Sequence, residues 1–180
     1  MNNVQLIRTK RKTLAIYIRP DGAVQVRAPL RCSLREIERF MQQKQAWIAE
    51  KQQLMQQRQA NCVELTPALE KQCRKQAKAM LPGRVAHFAA VMGVRPTAMR
   101  ITSAQTRWGS CSSRGSVNFS WRLMLCDDDV IDYVVVHELA HLREMNHSPC
   151  FWAIVAQVLP DYKRRKEKLR TQPVARNVPK

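Results

Sequence analysis

Residues 137–141 read His-Glu-Leu-Ala-His. The two histidines stand four apart, so they share a face only if the segment is a helix. The flanking residues ask for the same structure: Val130, Ile131, Val134, Val135, Leu139 and Leu142 recur at helical spacing. A helix that turns two imidazoles to one side can hold one metal ion, and Glu138 can reach a water beside it. This is the donor pattern of a zinc hydrolase, in which two imidazoles bind and the carboxylate takes the proton of the attacking water.

A catalytic zinc usually has three protein ligands and one open position. His147, six residues past His141, is the leading third ligand, and Glu144 is its rival. The helix must end before His147 can return to the ion. Asn146, able to adopt left-handed dihedrals, is the expected terminator, and Ser148-Pro149 opens the next helix. Three of the chain's four histidines fall within residues 137–147.

The rest of the chain mixes strands and helices. Residues 4–28 alternate as strands, with Pro20-Asp21-Gly22 as the turn of a hairpin. Ser33 and Glu36 form a capping box before one long amphipathic helix that reaches about Arg58. Thr66-Pro67 begins a second helix, which Leu81-Pro82-Gly83 should kink or break and Gly93 should end. Short strands are expected at Ile101 and over residues 117–121. Pro160-Asp161 starts a last helix that leads into a basic tail.

Charge narrows the partners. The chain of 180 residues carries 31 Lys/Arg against 14 Asp/Glu, a net charge of +17. Such a field attracts nucleic acids, nucleotides or acidic surfaces. No apolar run is long enough to cross a membrane, and the N-terminus lacks the apolar core of a secretory signal. Six scattered cysteines without a Cys-x-x-Cys pair fit reduced, mostly buried thiols. These features predict a cytoplasmic protein.

The stretch from Tyr133 through His137, His141 and His147 to Phe151-Trp152 resembles the metal site of the YgjP-like zincins, relatives of the WLM and SprT-type metallopeptidases. The resemblance continues upstream in Thr106-Arg107-Trp108-Gly109-Ser110-Cys111-Ser112-Ser113 and in Asn118-Phe119-Ser120-Trp121. It implies an α+β, zincin-like fold, with a small sheet beside the metal helix and an edge strand along the substrate groove. It implies zinc on His137, His141 and His147, with Glu138 as general base. It also implies one YgjP-like domain over 1–180: an N-terminal hairpin and helix extension at 1–65, a zincin core at 66–170 and a frayed basic tail at 171–180.

The resemblance leaves the substrate open. A zinc-dependent metallopeptidase is the leading reading. A UTP pyrophosphatase activity is attached to the same family name, and SprT-type relatives act on proteins bound to DNA. A basic nucleic-acid-binding module with a structural zinc is the remaining alternative, although such a site normally has four protein ligands. Arg107 is the candidate for stabilising developing negative charge. Trp108 and Asn118 are candidates for substrate contact. Each is equally readable as packing. The tail cations Lys163, Arg164, Arg165, Lys166, Lys168 and Arg170 could grip phosphates or form a solvated face.

Overall fold

Val24, Val26 and Ala28 alternate with Gln25 and Arg27, and this period of two buries one face of a strand. In the computed structural model, which describes residues 4–176, that strand is the centre of the first of two units, Met1–Asn61 and Cys62–Lys180. Strands β1 (Val4–Thr9), β2 (Ala15–Ile18) and β3 (Val24–Pro29) form a sheet in the order β1-β3-β2. The β2–β3 pair is the expected hairpin, and β1 lies parallel to β3. At its turn, Asp21 Oδ1 accepts from Ala23 N at 3.0 Å, and Gly22 takes a φ of 81° that suits a residue without Cβ.

Helix α1 (Leu34–Gln43) starts at the capping box formed by Ser33 and Glu36. The chain breaks at Lys44 and resumes as α2 (Gln45–Ala60), so the single long helix expected here is two. Lys44 is not a helix breaker by propensity. The break accompanies tertiary packing: Ile37, Met41 and Ile48 join the buried face of β3, and Gln52 donates to Gly22 O at 2.9 Å.

The second unit is built around two long helices. Helix α3 (Pro67–Met92) is capped by Thr66 and ended by left-handed Gly93. It runs as one helix through Pro82, so the chain does not break there. Cys73, Ala77, Leu81, Val85 and Ala89 form a buried stripe at four-residue steps, while Lys78 and Pro82 face solvent. The carbonyl that Pro82 cannot satisfy therefore lies where water can reach it. Strands β5 (Ala98–Thr102), β6 (Gly109–Cys111) and β7 (Ser116–Ser120) pair in the order β5-β7-β6. A 3-10 turn, Trp121–Leu125, leads into α4 (Asp128–Ala140), followed by α5 (Pro149–Val158) and α6 (Tyr162–Leu169). Strand β6 packs against α4, so the small sheet of this α+β fold lies beside the helix that carries the histidine motif. Leu81, Phe119, Trp121, Val135, Leu139 and Phe151 are fully buried in one core.

Residues 171–176 are not frayed. Gln172 is buried and accepts from Asp127 N at 3.0 Å, and β8 (Val174–Arg176) pairs in parallel with β4 (Cys62–Glu64). Backbone pairing supplies the order that apolar periodicity did not announce. The rest of the expected tail, 177–180, lies outside the described residues. Among the described residues, no helix is long and apolar enough to cross a membrane.

Most of the tail cations are occupied. Arg165 donates to Asp161 Oδ1 at 2.7 Å and to Asp129 O at 2.9 Å, and Arg164 pairs with Asp161 at 2.6 Å. Lys168 bridges Asp127 at 2.9 Å and Asp129 at 2.8 Å. These contacts fasten α6 to the start of α4. Hydrogen bonds from Lys168 hold the Asp127 and Asp129 carboxyls below their usual range, and Gln172 adds to the effect at Asp127.

Two predictions follow from these contacts. Replacing Pro82 by Ala restores a backbone donor inside an exposed helix turn, so it should stabilise the fold, by at most the roughly 3 kcal/mol that separates the two residues in a helix interior, and raise Tm. A lower Tm would show that Pro82 is needed in the folded chain. A carboxyl with a depressed folded pKa stabilises above its unfolded value, and that contribution is lost as pH falls through the folded value. Lys168→Met should therefore melt below wild type at neutral pH, and the gap should close between about pH 5 and pH 2. Thermal melts followed by circular dichroism across that range read both effects.

Candidate metal centre

Beyond its first turn helix α4 is mostly apolar, so the polar residues near its C-terminal end are held against protein. Val130, Ile131, Val134, Val135, Val136 and Leu139 are buried, and they carry His137, Glu138 and His141 with them. The helix ends at Ala140, with His141 itself as the C-cap in a right-handed conformation. Asn146 is not the terminator: among the described residues, none other than glycine has positive φ. The turn is closed by side chains and carbonyls instead. Glu144 Oε1 accepts from Asn146 N at 3.1 Å, and the Arg143 guanidinium donates to Met92 O. Ser148 then caps α5, its hydroxyl accepting from Phe151 N at 3.3 Å, which leaves His147 on the turn just before the helix.

The ligand atoms of His137, His141 and His147 converge within 4.8 Å of one another. His147 Nε2 lies 3.1 Å from His137 Nε2. Tetrahedral zinc with bonds of about 2.0–2.1 Å needs imidazole nitrogens roughly 3.3 Å apart, so the pair is near ligating separation. His141 Nδ1 lies 3.1 Å from the carbonyl oxygen of Glu144. A carbonyl only accepts, so the proton sits on Nδ1 and the Nε2 lone pair is left for an ion. Glu144, the rival third ligand, meets His141 through its backbone carbonyl, and its carboxylate is not part of the converging set.

All three rings pack around Phe151. Its centroid is 4.9 Å from that of His137, 4.6 Å from His141 and 4.8 Å from His147. Trp152 flanks His137 and His147, stacks on Tyr162 at 5.4 Å, and lies 4.1 Å from Lys166 Nζ. Burial pushes the His137 pKa down to about 3, and neighbouring His141, His147 and Lys166 add to it. Burial also lowers His141. These are neutral imidazoles, the form that binds a metal.

Glu138 is only 6% exposed. Burial raises its pKa to about 7, and the Arg107 charge works against that rise. Room for Glu138 comes from a glycine. A Cβ on Gly109, the first residue of β6, would lie 2.6 Å from Glu138 Cγ and 2.7 Å from Glu138 Oε1. The small-residue segment 107–113 is thus partly an edge strand, and its glycine permits contact with the carboxylate. Arg107 is exposed just before β6. Trp108 is half-buried against the core, and its carbonyl accepts from Ser120 N at 2.8 Å. Asn118 sits on β7 and donates to Ser110 Oγ at 3.4 Å. Sequence reasoning missed Gly109 as a spacer, Phe151 as the shared floor and Lys166 at the rim. The tryptophan-glycine pair was the available signal for a close backbone approach.

A buried carboxylate thus lies beside three convergent imidazoles that could hold a metal ion. The YgjP-like family, metallopeptidase domain, matches residues 12–67 and 56–172, and the chain belongs to that family. Two solved structures are similar to it. The metallopeptidase zymogen abylysin of Pyrococcus abyssi is 22% identical, with 53% of this chain and 100% of that one covered and a TM-score of 0.47. The metallopeptidase zymogen jannalysin of Methanocaldococcus jannaschii is 15% identical, with 49% and 91% covered and a TM-score of 0.44. No curated protein matches the chain.

Gly109→Ala should destabilise the fold by about 1–3 kcal/mol, the usual effect of overpacking. Much of that loss should disappear when Glu138 is also Ala, because the colliding atoms are gone. Chemical denaturation of the two single variants and the double variant measures the coupling. Additive losses would show that Gly109 and Glu138 do not compete for space.

Proposed function

We propose that this chain is a zinc-dependent peptidase in which His137, His141 and His147 hold the ion and Glu138 is the general base. The observation that carries the reading is a buried carboxylate, raised to about 7, directly after the first of three convergent imidazoles. Zinc, when bound, supplies a Lewis acid for the scissile carbonyl and lowers the pKa of water. Glu138 takes a proton from the attacking water and later hands it to the leaving amine nitrogen. A carboxyl near neutrality suits both transfers. Arg107 stabilises the negative charge that develops on the carbonyl oxygen, and its exposure leaves it able to approach substrate. Trp108 and Asn118 act on substrate indirectly in this reading, because their polar atoms brace the sheet on either side of β6.

An all-imidazole donor set favours this chemistry over nucleotide hydrolysis, which usually relies on magnesium and oxygen ligands. The tail cations that might have gripped a triphosphate are largely paired with Asp127, Asp129 and Asp161. Cys32, Cys73, Cys111, Cys126 and Cys150 are free thiols, which suits a reducing compartment such as the cytoplasm.

Wild type and Glu138→Gln should each retain one zinc per chain. The variant should lose about 10²–10⁴-fold in proteolysis of a protein mixture, the usual contribution of a general base. Pyrophosphate release from UTP without proteolysis would transfer the site to nucleotide chemistry. Wild type that binds no zinc would overturn both.

A further inference from the structure

The N-terminal unit contains a strong charge imbalance that the metal centre does not use. Residues 1–61 hold twelve Lys/Arg and four Asp/Glu. Three of the four acids have local roles: Glu36 caps α1, Asp21 closes the hairpin turn beside Arg19, and Glu50 pairs with Lys51. Among the described residues, no acidic group pairs with Lys10, Arg11, Lys12 or Arg27.

The sheet gives those cations a geometry. Val24, Val26 and Ala28 face the helices, so Gln25 and Arg27 face the other way. The register sets Gln5, Gln25 and Tyr17 in one row across that outer face, and Ile7, Arg27 and Ala15 in the next. Tyr17 is 45% exposed, although aromatic rings are normally buried. The Arg27 guanidinium lies 4.9 Å from its ring centroid. Arg27 Nε donates to Gln25 Oε1 at 3.3 Å, and Gln25 Nε2 donates to Gln5 Oε1 at 3.0 Å. The ring and guanidinium are therefore held by a chain of contacts. The β1–β2 connection places Lys10, Arg11 and Lys12 at the Arg27 end of the sheet, and Arg19 follows β2 at the other end.

We infer that this open sheet face binds single-stranded nucleic acid, with a base stacked on the Tyr17–Arg27 pair and phosphates on Lys10, Lys12 and Arg19. The chemistry selects this partner. A planar aromatic beside a guanidinium offers a stacking surface to an unpaired base, which a duplex keeps inside its own stack. Cations at both ends of a strand that rises about 3.3 Å per residue match the backbone of two or three nucleotides. An acidic protein would use the cations but would gain nothing specific from the exposed ring.

The test is anisotropy of the full-length chain with fluorescein-labelled dT10 and U10 at about 50 mM salt. Both strands should bind. Three neutralised phosphates give a log–log salt slope of roughly −2, or about a 20-fold loss between 50 and 200 mM salt. Tyr17→Ala should weaken binding by about 5- to 100-fold, the range of one lost base stack, while Tyr17→Phe should leave it intact. Replacing Lys10 and Lys12 by Ala should flatten the slope by roughly 1.4. All these side chains are exposed, and circular dichroism verifies that the variants fold. Absence of binding at 50 mM salt would overturn the inference. So would equal binding by Tyr17→Ala, or displacement of dT10 by polyglutamate at equal charge concentration, which would assign the face to acidic proteins.

Discussion

Burial of α4 is the constraint on which the chemistry depends. Nine of its thirteen residues are buried, Glu138 among them. In water a histidine titrates near 6.5 and a glutamate near 4.3. An exposed helix with the same motif would offer imidazoles partly protonated at neutral pH and a carboxylate too weak to hold a proton. Inside the core, the charged forms of both residue types are disfavoured. His137 is thereby kept neutral and Glu138 is raised to about 7. One physical cause thus sets the protonation of both residues. The surrounding elements serve this burial: α3 covers one flank of α4, and β6 comes close enough to touch Glu138 because its first residue has no Cβ.

Much of this was legible because it is local. Four-residue spacing set His137 and His141 on one helical face, and Ser148-Pro149 marked where the next helix begins. The Ser33–Glu36 box and the left-handed Gly93 cap were readable for the same reason, since each satisfies backbone groups within a few residues. The departures are all tertiary. Pro82 stays inside α3 because its turn faces solvent while Leu81 and Val85 are gripped by the core. Residues 174–176 are ordered by a strand more than a hundred residues earlier, a pairing that no local pattern announces. The contact between Gly109 and Glu138 joins two elements distant in sequence, so spacing could not reveal it.

The net charge of +17 divides into two physically different populations. In the second unit, Arg84, Arg164, Arg165 and Lys168 reach aspartates at 2.6–2.9 Å and join secondary-structure elements. Those charges are structural, and their field outside the protein is largely cancelled by their partners. In the first unit, Lys10, Arg11, Lys12 and Arg27 lack such partners among the described residues, so their field extends into solvent. Composition counts both populations alike. The tail looked like the anionic site because its basic residues are consecutive, whereas unpaired cations brought together by strand register are scattered along the chain.

Orientation of the three imidazoles rests on two kinds of interaction. His141 has a hydrogen bond from Nδ1 to a carbonyl, the usual way of fixing a ligand ring. His137 Nδ1 is buried without a protein partner, so that device is missing there. Its ring is instead confined by Tyr133, Phe151 and Trp152, with centroids 4.9–5.9 Å away. Phe151 touches all three histidines and is fully buried, which makes it the common reference for the site. It also lies three residues after Ser148, and its amide hydrogen is bound by the cap of α5. The same residue therefore anchors the turn that brings His147 back and the floor against which His137 and His141 are set. An ion held by these three rings would tie α4 to that turn, and its binding free energy would add to the stability of the folded unit.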